Sequence, residues 1–279
     1  MLQKNISPVN CATVHTVKWP VKDVLAMTTT RHHPFDLNGN KNAYSHFNLG
    51  LHVGDQAEQV LNNRASLATL LSSHLTPKTT VNIQWLDQVH GSNVIYLNEE
   101  DSFSTLSKVA DAIITRQKKV ALAIMTADCL PILLSANDGS EIAAIHGGWK
   151  PLAKNIIEKT LAKMITPKDQ ISAWLGPCIG LHAFEVGEEV RDNFIQQSTR
   201  FGAAFTKIEA MHSSSHRSIN KTPIKYLANL YNIAQEQLTN SGIKNISQLT
   251  HCTFTMAQDY YSYRRDGKTG RMATIITRR

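Results

Sequence analysis

Short apolar runs separated by turn residues occupy the middle of the chain. Three of them have the length and composition of buried β-strands, at residues 121–126, 131–136 and 141–145. Similar runs predict further strands at residues 170–175, 250–255 and 272–277. We therefore expect a protein built around β-sheets.

The second and third runs are joined by Asn-Asp-Gly-Ser, a turn sequence typical of β-hairpins. If Asp138 and Gly139 are the two turn residues, Pro131 lies opposite His146. Cys129 lies two residues before Pro131, so the alternation of side chains along a strand puts it on the same face of the sheet as His146. A longer loop or a bulge would shift the register by one residue and separate the two side chains.

Apolar residues recur at helical spacing in several segments between the strands. They predict helices at residues 55–72, 152–164 and 188–196. A further helix is expected to open with Thr222 and Pro223 as N-cap and N1 residues and to end at Gly242. Because no internal repeat or low-complexity linker interrupts the sequence, we expect a single catalytic domain over residues 1–279.

Composition restricts the class of protein. Of the 279 residues, 42% are hydrophobic, which is enough for a sizeable core. The four cysteines are scattered without a C-x-x-C pair, which predicts free thiols rather than a disulfide framework. The N-terminus lacks the features of a secretory signal, and no apolar run approaches the ~18 residues that span a bilayer. We expect a cytoplasmic protein that has no membrane partner.

A net charge of +7 raises the question of nucleic-acid binding. The basic residues are spread along the chain, apart from residues 264–271 and the C-terminus, and the aromatic residues do not alternate with them. We therefore predict no nucleic-acid partner. An anionic substrate would use only a few of these cations.

His90 is a third candidate for the site that the hairpin predicts. Together with Cys129 and His146 it would supply one thiolate and two imidazoles, a ligand set suited to zinc and less favoured for copper. Three protein ligands leave the fourth position of tetrahedral zinc open to water or substrate, as in catalytic zinc sites. The alternative is that Cys129 is a small buried apolar residue and the histidines are ordinary polar residues.

The basic turn at residues 264–271 contains the last three residues of a phosphate-binding P-loop. The first glycine of that motif would fall at Ser262, however, and an apolar β-type run follows instead of a helix. The turn can still bind an anion through its amides and Arg264, Arg265 or Arg271, or it can be a solvated hairpin turn.

Several ordered motifs resemble those of one known family. They are TTR at residues 29–31, NLGLHVGD at 48–55, QVHG at 88–91, TADCLP at 126–131, HGGW at 146–149, GPCIG at 176–180, FEVG at 184–187 and YSYRRDGKTGR at 261–271. On these motifs the chain resembles the multicopper polyphenol oxidase (laccase-domain) family, also called the YfiH or DUF152 family. Its members are described as zinc-dependent purine nucleoside phosphorylases.

The resemblance implies an α+β fold, an α/β/β/α sandwich with mixed β-sheets. It implies that His90, Cys129 and His146 are the metal-binding and catalytic residues, with zinc as the cofactor and copper possible. The implied activity is phosphorolysis of adenosine, inosine, guanosine and methylthioadenosine, with adenosine deaminase activity, so that the partners are a nucleoside and inorganic phosphate. The candidates for phosphate binding are Arg31, Lys150, Arg264 and Arg265.

This sequence departs from the family pattern at two places. His32, His33 and Pro34 stand where the family usually has a glycine pair, and Lys150-Pro151 stands where it commonly has Arg-Gly. Lysine keeps the positive charge but lacks the bidentate fork of arginine. Both departures concern substrate contacts and leave the three candidate ligands unchanged.

Two other functions fit the same residues. Relatives in the family have also been linked to the editing of peptidoglycan precursors by a thiol- or metal-dependent hydrolase, and in the thiol form Cys129 and His146 would make a thiolate-imidazole pair for nucleophilic attack. In a non-catalytic metal-binding protein, the site would be closed by a fourth ligand and the protein would melt on chelation.

Overall fold

The apolar runs form strands, and segments with helical periodicity pack over them. A computed structural model describes residues 13–35, 43, 44, 46–75, 80–98, 107–209 and 223–279. The strands in these ranges are β1 Val14–Thr16, β2 Val24–Thr29, β3 Asn82–Gln84, β4 Leu86–Asp87, β5 Val94–Leu97, β6 Lys108–Val109, β7 Ala112–Thr115, β8 Val120–Thr126, β9 Leu130–Ala136, β10 Ile142–Gly147, β11 Ile171–Leu175, β12 Glu185–Gly187, β13 Phe205–Lys207, β14 Lys225–Ala228, β15 Asn245–Gln248 and β16 Met272–Arg278. The α-helices are α1 Ala57–Ser73, α2 Trp149–Ala153, α3 Ile156–Lys163, α4 Glu188–Ile195, α5 Leu230–Asn240 and α6 Tyr263–Asp266. None of these described helices combines the length and the apolar composition needed to span a membrane.

Two large sheets contain most of the strands. One has five strands in the order β1-β2-β16-β8-β3, and the other has six in the order β15-β11-β9-β10-β7-β5. Both sheets are mixed: β3 with β8, β5 with β7, and β11 with β15 are parallel pairs, and the other neighbours in these sheets are antiparallel. Two smaller sheets, β12-β14-β13 and β4-β6, complete the described part of the fold.

The alternation of side chains along the strands sorts the core into layers. In β8, Leu122 and Ile124 pack with Leu133 of the other sheet, in a core between the two sheets. The intervening residues of β8 face the opposite way and pack with Leu67 of helix α1. The outer face of the six-stranded sheet packs against α3 and α5, for example through Ile132. This is the expected α/β/β/α arrangement with mixed sheets, so the predicted fold class is confirmed.

The central hairpin has the predicted register. β9 and β10 are antiparallel neighbours, and Pro131 lies opposite His146. Gly139 in the turn has a φ of 73°, a conformation that glycine adopts without strain. The strands predicted at residues 170–175 and 272–277 are also present, as β11 and β16.

The prediction of one continuous helix over residues 152–164 is wrong. The segment forms two short helices, α2 and α3, separated by Lys154 and Asn155, of which Asn155 has a left-handed φ of 57°. Asparagine is one of the few residue types that enter this region readily. The apolar periodicity continues across the break, so spacing alone could not reveal it.

Two predictions in the C-terminal third are also wrong. The helix expected from Thr222 begins only at Leu230, where the side chain of Asn229 caps it by accepting a hydrogen bond from Asn232 N. The residues before it form β14, which pairs with β12 and β13, and Thr222 itself lies outside the described residues. No strand forms at the described residues 250–255, where Cys252 makes only a single bridge to Cys178.

The layered core predicts different costs for the same substitution on the two sides of helix α1. Leu67 is fully buried against the five-stranded sheet, whereas Leu61 is 56% exposed. Leu67→Ala should lower the free energy of unfolding by about 2–5 kcal/mol, while Leu61→Ala should change it by only about 0.5 kcal/mol. Urea unfolding of the two variants measures the difference, and equal effects would contradict the placement of α1.

Candidate metal centre

Three side chains from separate segments meet at one end of the six-stranded sheet. His90 lies in the loop between β4 and β5, Cys129 directly precedes β9, and His146 lies in β10. Their potential ligand atoms are all within 4.8 Å of one another. Cys129 Sγ is 3.8 Å from His90 Nε2, and the two imidazole rings lie edge to face with centroids 4.6 Å apart. The structure thus brings together the three residues that the sequence suggested.

The carboxylate of Asp111 fixes two of these three residues. It is fully buried and accepts hydrogen bonds from His146 Nδ1 at 2.8 Å, from His90 N at 3.0 Å and from Gly91 N at 2.6 Å. Because Nδ1 of His146 faces Asp111, its Nε2 is the nitrogen available to a ligand. Asp111 therefore sets both the orientation of His146 and the position of the His90 loop.

Charge within the cluster favours ionised forms. Burial opposes ionisation of Cys129, but the charge and hydrogen bond of His146, together with those of His90, hold the pKa of its thiol below the usual value. Burial likewise opposes protonation of His146, yet Cys129 and Asp111 raise its pKa. At Asp111, the hydrogen bond and charge of His146 and the backbone N–H groups of Gly91 and His90 outweigh the effect of burial and lower the pKa of the carboxyl group. The thiolate is the form of cysteine that binds metals and attacks electrophiles.

A glycine makes room for the cluster. A Cβ atom on Gly148 would lie 2.9 Å from Cys129 Sγ and 3.5 Å from His90 Cδ2. Such a methyl group would occupy space beside the ligand atoms. The donor set of one sulfur and two nitrogens, together with this space, fits a transition metal ion such as zinc.

Gln88 attaches the His90 loop to the end of β8. Its Nε2 donates to Met125 O at 2.8 Å, and its Oε1 accepts from Met125 N at 2.7 Å, so the side-chain amide pairs with the strand as another backbone would. His90 itself has a φ of 56°, which is uncommon for a residue other than glycine. These hydrogen bonds, with those of Asp111, maintain that conformation.

Asp128 connects Cys129 to the basic turn. It has a φ of 92°, and its carboxylate accepts hydrogen bonds from Thr253 Oγ1 at 2.7 Å and from Arg264 N at 2.6 Å. The turn that carries Cys129 and the start of helix α6 are therefore held together by one side chain.

A cavity of about 670 Å³ opens beside the three candidate ligands. Its volume lies in the range of small-molecule sites. Its lining includes the apolar side chains of Trp149, Ile179, Phe184 and Leu230. It also carries permanent cations, namely Lys150, Lys154, Arg264 and Arg271. A ligand with an apolar or aromatic portion and a negative charge matches this lining.

The four predicted substrate residues occupy two different environments. Lys150 and Arg264 line the cavity, whereas Arg31 and Arg265 are not among its lining residues. Arg31 donates to Ala257 O and lies over the Tyr261 ring. Arg265 pairs with Asp266 and donates to the carbonyl groups of Thr253, Phe254 and Tyr260. Arg264 and Arg265 are neighbours in helix α6, but their side chains point in different directions. The sequence alone could not show which of the two lines the cavity.

The histidines that depart from the family pattern also lie outside the cavity lining. His32 Nε2 is 3.4 Å from Asp259 Oδ1, and the His33 ring packs edge to face on Phe47 with centroids 5.1 Å apart. The departure at Lys150, in contrast, belongs to the cavity.

Sequence reasoning missed Asp111, Gln88 and Asp128 as parts of the site. Asp111 did leave a signal, because it is a lone carboxylate beside the apolar run Ala-Ile-Ile and is fully buried in the structure. A buried carboxylate requires hydrogen-bond donors, and such groups are concentrated at functional sites.

Comparisons with known proteins agree with this site and fold. The profile of the family described as multi-copper polyphenol oxidoreductase laccase matches residues 25–279. A purine nucleoside phosphorylase, YfiH, from Shigella flexneri is 38% identical over 93% of this chain and 96% of its own. A purine nucleoside phosphorylase from Haemophilus influenzae is 38% identical over 92% of this chain and 96% of its own.

Solved structures give the same result. A DUF152 protein from Neisseria meningitidis superimposes with a TM-score of 0.80, at 35% identity, over 96% of this chain and 99% of its own. The YfiH protein of Bacillus licheniformis superimposes with a TM-score of 0.78, at 27% identity, over 92% of this chain and 93% of its own. Sequence and structural similarity thus extend over nearly the whole chain, which belongs to the laccase-like multi-copper polyphenol oxidoreductase family, also known as the YfiH or DUF152 family.

Proposed function

We propose that this protein is a zinc-dependent purine nucleoside phosphorylase whose metal ligands are His90, Cys129 and His146. The observation that carries the proposal is that these three side chains line one cavity together with apolar and cationic side chains. A purine nucleoside and inorganic phosphate supply the matching apolar and anionic groups. The names of the similar proteins from Shigella and Haemophilus support the same activity.

Zinc is favoured over copper by the small number of ligands. One thiolate and two imidazoles complete three positions of a tetrahedral zinc site, whereas a copper oxidase needs further histidines for electron transfer and oxygen chemistry. When bound, the metal supplies Lewis-acid chemistry to an oxygen that reaches its open position. The donor atoms that would hold it are Cys129 Sγ, His146 Nε2 and a ring nitrogen of His90.

The cavity lining suggests how the two substrates are oriented. The purine base packs against the apolar residues of the lining, which include the aromatic side chains of Trp149 and Phe184. Lys150 and Arg264 offer positive charge to phosphate, while Arg31 and Arg265 lie outside the cavity lining and donate to the carbonyl groups of Ala257 and Tyr260. An oxygen of hydrogen phosphate then forms a bond to the ribose carbon as the carbon–nitrogen bond breaks, and the proton that the phosphate loses is transferred to the nitrogen of the leaving base.

The substrates proposed are adenosine, inosine, guanosine and methylthioadenosine, as the resemblance to the family implies. Deamination of adenosine is the proposed second activity of the same site. Water adds its oxygen to the amino-bearing carbon of the base and ammonia leaves, so that adenosine becomes inosine.

A thiol hydrolase that edits peptidoglycan precursors is the second candidate. The observation that favours it is the lowered pKa of the Cys129 thiol beside His146, which makes a thiolate nucleophile available without a metal. A metal-binding protein without catalysis is less favoured, because the three described ligands leave an open position beside the cavity.

The proposed activity is tested by phosphate-dependent release of adenine from adenosine, with inosine measured separately. The zinc-loaded protein should release adenine, and Cys129→Ala and the chelated protein should lose zinc and both activities together. Cys252→Ala, which changes the other half-buried thiol among the described residues, serves as the matched control and should remain active. Turnover that survives in Cys129→Ala would rule out the assignment, and activity that rises on chelation would favour the thiol hydrolase.

The Asp111 hydrogen bonds predict a loss of metal affinity when the carboxylate becomes an amide. Asp111→Asn keeps the shape of the side chain but places an NH₂ group against a donor, whichever way the amide is turned. Zinc affinity, measured by competition with a chelator, should fall about 10- to 100-fold. Asp169→Asn, at an exposed position, is the control, and equal affinities in the two variants would show that Asp111 does not position the ligands.

A further inference from the structure

The four permanent cations of the cavity differ in their exposure. Lys150, Lys154 and Arg264 are exposed, whereas Arg271 is half-buried. Water screens the charge of an exposed cation, and an ion pair formed in a less polar environment is stronger. Arg271 therefore offers a ligand of the cavity the least screened of these four charges.

The backbone of Arg271 is fixed by the buried segment that contains Asn48. Arg271 N donates to Asn48 Oδ1 at 2.9 Å, and Leu49 N donates to Arg271 O at 3.2 Å. The Asn48 amide is itself oriented, because its Nδ2 donates to Asp55 Oδ2 at 2.9 Å. The start of the Arg271 side chain is thus held in one place relative to the cavity.

The side chain of Arg271 passes directly over Gly50. A Cβ atom on Gly50 would lie 2.8 Å from Arg271 Cγ, so a larger residue there would displace the arginine. Nη1 of Arg271 donates to the carbonyl oxygens of Thr269 and Gly270 at 3.1 and 3.0 Å. These contacts orient the guanidinium and reduce the entropy that it would lose on binding a ligand.

No carboxylate forms a salt bridge with this arginine within the described part of the chain, although the charge of Asp128 acts on it at longer range. Asp128 is the only carboxylate among the described residues that line the cavity, and it already accepts hydrogen bonds from Thr253 and Arg264. Arg265, by comparison, pairs with Asp266. Arg271 is thus an oriented, partly shielded cation without a salt-bridge partner among the described residues, in the lining that it shares with Cys129 and His146.

We propose that Arg271 is the principal residue that binds inorganic phosphate in this cavity. A planar guanidinium matches two oxygens of a tetrahedral oxyanion, and such charge-assisted bonds are stronger than those between neutral groups. This assignment rests on the proposed function for the identity of the anion. The exposed Lys150 and Arg264 add charge at the same cavity, and Asn48 and Gly50 act through Arg271 as positioning residues.

The test is a calorimetric titration of inorganic phosphate into the full-length, zinc-loaded protein. Arg271→Gln should weaken phosphate binding about 10- to 100-fold, because it removes a charge-assisted contact. Arg271→Lys, which keeps the charge without the fork, should bind with intermediate affinity. Arg200→Gln, which removes an exposed charge outside the cavity lining, should bind phosphate as the unsubstituted protein does.

Zinc content and adenosine binding of each variant show whether the site remains folded. If Arg271→Gln retains both and still binds phosphate with unchanged affinity, the assignment is overturned, and it is also overturned if the unsubstituted protein binds no phosphate. Phosphate binding that depends on Arg271, without any release of base from nucleosides, would uphold the anion site and reject phosphorolysis. If Arg271→Gln still catalyses phosphorolysis with an unchanged KM for phosphate, the phosphorylase activity would be upheld and Arg271 would be rejected as the phosphate-binding residue.

Discussion

The buried carboxylate of Asp111 is the interaction on which the candidate metal centre depends. It satisfies its hydrogen-bonding capacity with one imidazole and two backbone N–H groups, and thereby fixes His146 and the His90 loop together. An ionised carboxylate is stable in the interior only when such donors surround it. Strand pairing supplies this geometry, because Ile145 lies opposite Ala112 and the next residue pair, His146 and Asp111, is joined by a further hydrogen bond of 2.8 Å.

Close packing around the cluster imposes a second constraint. Gly147 lies opposite Leu130 in the hairpin, and a Cβ atom on it would be 2.7 Å from Leu130 O. Gly148 then leaves space beside the sulfur of Cys129. The two glycines thus serve different purposes: the first allows the backbones to approach, and the second leaves space beside the candidate ligand atoms.

The sequence predicted those features that depend on local patterns. The register that pairs Pro131 with His146 follows from a short turn, so the turn residues alone were enough to predict that Cys129 and His146 share a face. The role of Asp111 could not be predicted in this way, because it depends on the pairing of β7 with β10 and on a loop about 20 residues earlier, which no local period encodes. Likewise, helical spacing predicted the core residues of α2 and α3 but not the left-handed Asn155 between them. The layered arrangement of the two sheets was expected only from resemblance, since strand counting does not give the order of strands.

The fold, the ligand cluster and the cavity together support metal-assisted chemistry on a small anionic and aromatic substrate pair. The central claim is that one sulfur and two nitrogens of this chain hold the metal and leave a position open. X-ray absorption at the zinc edge of the purified, zinc-loaded protein tests it directly. The expected spectrum has one sulfur at about 2.3 Å, two imidazole nitrogens at about 2.0–2.1 Å and one light atom from solvent or substrate. A zinc ion without a sulfur ligand, or one surrounded by four protein ligands, would contradict the account.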